Sequence, residues 1–111
     1  MRVGRRPIVI ATRLLEFTGL DGAVLPVVVK FRKPVPSRSC EDTYECEYEI
    51  IGPGARRKVM RMVGVDSLQA LILSTHVVLA ELDYIAQRDK GRFSYLGSNN
   101  LALPEPSLVP K

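Results

Sequence analysis

The sequence has no tryptophan, one histidine, two cysteines and only 6% aromatic residues in a chain of 111. Each shortage removes a class of function. One histidine excludes a multi-histidine metal site within a single chain. Cys40 and Cys46, six apart, lack the four closely spaced ligands of a structural zinc site. Two cysteines do not make the disulfide framework of a small secreted domain. No glycine-rich phosphate loop is present. The run Gly52-Pro53-Gly54-Ala55-Arg56-Arg57-Lys58 joins a glycine turn to positive charge, but it lacks the P-loop spacing and leads into a strand pattern. No apolar window approaches the ~20 residues needed to span a bilayer. The stretch Ile8 to Ala11, behind Arg2, Arg5 and Arg6, is too short for a signal-peptide core of about 7–15 residues. These absences lead to the expectation of a cytoplasmic chain with reduced thiols, no metal, no cofactor and no membrane.

What is present is ordinary globular composition: 46% hydrophobic and 25% charged residues, in a length suited to one domain. The formal net charge is +4, and Arg2, Arg5 and Arg6 supply three of those charges. The remainder is close to neutral. Any contact with nucleic acid or another anion is therefore expected to be weak and carried mainly by these three arginines. The lone His76 could meet Cys46 as a nucleophilic pair, or join it and a carboxylate at a metal. A solvated helical histidine is the reading preferred over both, and no catalytic residue is assigned.

Residues 1–7 read as a flexible basic arm, 8–97 as a single α+β domain and 98–111 as a proline-rich tail. Ile8–Phe17 and Ala23–Arg32 are rich in β-branched and aliphatic residues around a two-glycine turn, which predicts a β-hairpin. Pro26 predicts an edge position or a bulge in the second strand. Lys33–Asp42 reads as a loop. From Tyr44 to Ile50 the alternation is strict. Tyr44, Cys46, Tyr48 and Ile50 form a packed face, and Glu45, Glu47 and Glu49 a wet one. A turn at Gly52-Pro53-Gly54 leads to a basic strand, Arg56–Val63. Its charges are expected to neutralise the glutamates across the ladder. Phe93–Leu96 is a candidate short fifth strand.

A long helix follows, with Asp66 as N-cap, Gln69 completing a capping box and Gly91 as the stop. The expected fold is a two-layer α+β domain: a four-stranded antiparallel meander covered by one long C-terminal helix. At 100° per residue, Leu68, Leu71, Ile72, Thr75, Val78, Leu79, Leu82, Ile85 and Ala86 define the predicted sheet-facing side. Ala70, Leu73, Val77, Ala80 and Tyr84 define a second apolar stripe with the seam spacing of packed helices. Ser74, Glu81 and Arg88 fall on one intervening polar strip, and Gln69, His76, Asp83 and Gln87 on the other. The second stripe wants a cover. A homodimer contact is the preferred one, with the C-terminal segment bearing Leu101, Leu103, Leu108 and Val109 as its rival and a simply exposed stripe, two of whose five members are alanine, as the third reading.

The run Gly64-Val-Asp-Ser-Leu-Gln-Ala-Leu-Ile-Leu, with Cys46-Glu-Tyr-Glu-Ile-Ile-Gly and Ile10-Ala-Thr-Arg-Leu-Leu-Glu before it, resembles a family of short bacterial proteins catalogued only as a domain of unknown function. The resemblance implies the architecture and no mechanism. The expectation is a small non-enzymatic protein–protein interaction module that self-associates through the helix. One alternative is a nucleic-acid or anion-binding protein using the basic arm and the two basic strands. Another is a small inhibitor or immunity-type protein of bacterial conflict.

Overall fold

The computed structural model describes residues 6–104. The elements are β1 (Val9–Thr18), β2 (Val24–Arg32), β3 (Val35–Pro36), β4 (Tyr44–Ile51), β5 (Arg57–Gly64), α1 (Ser67–Asp89) and β6 (Arg92–Ser94). Every strand pairing is antiparallel, and β1, β2, β4 and β5 form the expected meander. Two short strands extend it to six. Two-residue β3, inside the expected loop, pairs with Tyr44 and Glu45 of β4, beyond the reach of β2. β6 pairs with the outer side of β1 at Glu16–Thr18. The helix therefore leaves one border of the sheet at β5 and delivers the chain to the opposite border at β6.

Pro26 sits in an interior strand, where a missing N–H would ordinarily break the ladder. It is tolerated because β4 pairs with β2 only over Val28–Phe31, which leaves Pro26 past the end of its neighbour. The predicted bulge falls instead in β1, between Val9 and Ala11.

The core lies between the sheet and α1. Leu15, Phe17, Val27, Val29, Phe31, Tyr48 and Ile50 from the strands meet Val78, Leu82 and Ile85 from the helix, with Phe93 closing one end against Phe17. The packed half of the β4 reading holds in part: Cys46, Tyr48 and Ile50 are buried on the helix side and Tyr44 is half-buried. α1 packs on β4 and β5, while Leu101 and Leu103 from the segment after β6 pack against the same core. Arg13 ties that segment down. Its guanidinium donates to the carbonyls of Leu101 and Ala102 and stacks on the Tyr95 ring at 4.1 Å. Leu108 and Val109 lie outside the described residues.

The helix is rotated relative to the expected face. Its buried residues are Ala70, Ser74, Val78, Leu82 and Ile85. Leu68, expected on the sheet, is 62% exposed, and Ile72 is 40% exposed. Ser74 is the cause. Its hydroxyl donates to the Leu71 carbonyl at 2.7 Å and lies 3.4 Å from the Cys46 sulfur, so a nominally polar residue sits satisfied at the centre of the packed face.

Asp66 caps the helix by accepting from the Gln69 N–H at 2.8 Å, and Gln69 reaches back to the Val65 N–H at 2.7 Å, one residue beyond the expected capping-box partner. At the other end Lys90, not Gly91, takes the left-handed conformation (φ 54°), and the Gly91 N–H bonds the Ala86 carbonyl. Gly91 is required for space instead, because a Cβ there would lie 2.3 Å from the Phe17 ring. Replacing Asp66 with alanine is expected to cost about 1 kcal/mol, read as a shift in the urea midpoint at unchanged slope.

By length and composition alone α1 is apolar enough to cross a membrane, against the expectation that no segment would be. One face of it serves as the cover of the sheet, which accounts for much of its apolar character.

Candidate functional site

Two surfaces stand out. The first is the face of the sheet turned away from α1. Glu45, Glu47 and Glu49 project there, as the alternation predicts, but this face is not wet at its centre: Glu47 and Glu49 are buried. Arginines from three directions cover them. Arg57, two positions before Val59, which lies opposite Glu49, bonds the Glu49 carboxylate through Nε. Arg61, directly across from Glu47, stands 3.8 Å from both Glu45 and Glu47. Arg32 of β2 lies 3.3 Å from Glu47 and 3.6 Å from Glu49 and donates to the Pro7 carbonyl at 2.7 Å. Arg6 pairs with Glu47 and lies 3.8 Å from Glu49.

Burial opposes ionisation of Glu49. The Arg57 hydrogen bond and the charges of Arg57, Arg6 and Lys30 outweigh it and hold the carboxyl below its ordinary range. The hairpin charges do neutralise one another, as the sequence predicts. Arg6 and Arg32 are additional, and they turn a solvated ladder into a covered one. Beside the cluster runs an open groove of about 720 Å³, bordered by Arg6, Lys33, Arg38 and Arg61 against Glu45 and Glu47. Of the three arginines assigned to anion contacts, Arg6 is committed to these glutamates, and Arg2 and Arg5 lie outside the described residues.

The second surface is the border of the sheet at β5. Among the described residues β5 has, along its whole length, a strand partner on one side only, β4. Lys58 of β5 forms an ion pair with Glu81 of α1 at 2.6 Å, which places the Glu81 side of the helix next to this border. On a helical wheel Leu73, Val77, Ala80 and Tyr84 lie on that same side. Of the five residues in the second stripe, Ala70 is fully buried against β4 and β5 and drops out as a surface residue. A Cβ on Gly64 would stand 2.5 Å from its backbone nitrogen. Leu73 and Val77 are half-buried, Val77 being packed on the core, while Ala80 is exposed and Tyr84 is 58% exposed. Met60, on the helix side of β5, is 43% exposed beside them.

The residues weighed for chemistry are kept apart. Cys46 is buried under Ser74, and burial together with the charge of Glu47 pushes its thiol up in spite of the Ser74 hydrogen bond. His76 follows Ser74 by two residues, 200° around the helix, and so points away from Cys46. Cys40 is exposed in the loop before β4. Among the described residues no group of three His, Cys, Asp or Glu side chains is placed to hold a metal ion.

The fold and its surfaces define a small two-layer α+β domain with a self-neutralised charged face and an open sheet border. The chain belongs to a family catalogued as a domain of unknown function, DUF6968, whose model matches residues 11–105. That match agrees with the resemblance to an uncharacterised domain family. No curated protein and no solved structure matches the chain.

Proposed function

We propose that the chain is a small non-enzymatic interaction module that binds protein, a second copy of itself first of all, on the side where β5 and α1 meet. The observation that carries this reading is the border of β5, which is unpaired among the described residues. An exposed strand edge presents a row of free N–H and C=O groups that template pairing with another chain. The half-buried Leu73 and the exposed Ala80, Tyr84 and Met60 beside it add apolar area to the same patch. The alternative of a basic nucleic-acid face has less support, because Arg6, Arg32, Arg57 and Arg61 are engaged by Glu45, Glu47 and Glu49.

Light scattering coupled to gel filtration, from low micromolar to near-millimolar protein, is expected to report a dimer that dissociates on dilution. The double substitution Ala80→Glu, Tyr84→Glu lies on exposed positions. It is expected to leave the circular dichroism unchanged and to weaken the dimer. A wild-type chain that stays monomeric across the range overturns the reading.

A further inference from the structure

The border of β5 specifies how a second copy would sit on it. The hairpin bond from the Gly52 N–H to the Arg56 carbonyl sets the phase of the β4–β5 ladder. Hydrogen-bonded pairs alternate from there, so Lys58, Met60 and Met62 bond inward to β4, and Arg57, Val59, Arg61 and Val63 turn their N–H and C=O groups outward. Among the described residues, β5 holds none of the usual protections of an exposed edge except charge. It has no proline, and its register with β4 is unbroken over all eight pairs.

Those charges select one register. Two β5 strands meeting antiparallel about a two-fold axis perpendicular to the sheet pair only residues that share a face. An axis at Val59 sets Arg57 against Arg61 of the other copy. An axis at Lys58 or at Arg61 sets that residue against itself. An axis at Met62 avoids like charges but pairs only the last five residues of the strand. An axis at Met60 pairs Arg57 with Val63, Lys58 with Met62, Val59 with Arg61 and Met60 with its copy. No like charges oppose each other, seven residues of each strand are engaged, and all four outward-facing residues find partners in about eight hydrogen bonds. The arginines of β5 do not repel the approach of the second strand, since Glu49 holds Arg57 and Glu45 and Glu47 flank Arg61.

The second layer fits the same arrangement. α1 packs about equally on β4 and β5, so its axis lies about one strand spacing from the junction. With strands ~4.8 Å apart, the two helices stand about 10 Å apart, the upper end of ordinary helix packing. The residues that meet are Leu73, Val77, Ala80 and Tyr84 and their copies.

We propose that a second copy of this chain adds across β5 about a two-fold axis at Met60, joining the two sheets into one and bringing the two helices side by side. This rests on the self-association reading above. Two variants test the geometry. Val59→Pro removes an outward N–H that bonds nothing in β4, so the monomer is expected to keep its circular dichroism while the dimer is lost. Met60→Cys in a Cys40→Ser background places the two new thiols at the axis, across a non-hydrogen-bonded pair with Cα atoms ~4.5 Å apart, within disulfide reach. Mild oxidation is expected to give a cross-linked dimer, and Val59→Cys in the same background is expected to give none. A dimer that survives Val59→Pro and is not cross-linked through position 60 overturns this geometry and leaves self-association standing. A monomeric wild type overturns both.

Discussion

Glu49→Ala is expected to destabilise the fold by roughly 3 kcal/mol, because removing one partner of a buried ion pair leaves the opposite charges uncompensated. For a domain of this size that is a fall of about 12–20 °C in Tm. The carboxylate is 4% exposed and stands among Arg57, Arg32 and Arg6, and Arg57 has no other carboxylate within ion-pair distance among the described residues. Glu47 stays to hold Arg32 and Arg6, which keeps the loss near the lower end for a buried pair. The same carboxylate gives the fold an acid sensitivity of known sign. Its folded pKa is depressed, so its contribution is complete above the ordinary carboxylate range and is lost as pH falls through the lowered value. Within that window the unfolded chain binds up to one more proton, worth at most about 1.4 kcal/mol per pH unit. Urea titrations at stepped pH are expected to show this slope in the wild type and a shallower one in Glu49→Gln. Equal slopes would remove Glu49 as its source.

Gly64→Ala is expected to cost as much, about 3 kcal/mol, through a different mechanism. The added Cβ would lie 2.5 Å from the Ala70 nitrogen and 2.9 Å from the Ala70 Cα and Gln69 carbonyl carbon. All three are backbone atoms of the first helical turn, so no side chain can swing aside and the turn itself must lift. Amide exchange should show protection lost first at the start of α1. Gly54→Ala provides the control. Nothing lies within 4 Å of a Cβ there, and only its left-handed backbone (φ +73°) is strained, at roughly 1 kcal/mol. Similar losses in the two variants would show that the close approach of strand and helix is not what demands glycine at Gly64.

The four long strands and the helix were legible because their signals are local: alternation in β4, glycine turns, and a capped helix without internal proline or glycine. The acidic and basic strands were legible as partners because a short turn joins them. The burial of Glu47 and Glu49 was not. It depends on Arg32, whose place beside them follows from the β2–β4 register across the eleven residues between those strands, and on Arg6, brought in by the chain before β1. The helix face was misread by roughly the width of one residue because Ser74 counts as polar in any periodicity, although its own helix satisfies it. β3 and β6 are too short to carry a period. The border at β5 was recoverable in part, since the last strand of a meander lies at an edge unless something later pairs with it.

The return of the chain to β1 through β6 also governs the order in which the domain can be completed during synthesis. β1 is made some seventy-five residues before the strand that lines its outer side. At about 5–20 residues per second this is a wait on the order of ten seconds. For that interval Phe17 lacks the ring of Phe93, and Glu16–Thr18 of β1 lack the strand partner that β6 later supplies. The nascent chain is thus most exposed to mispairing early at this end of β1, on the side of the sheet opposite to β5.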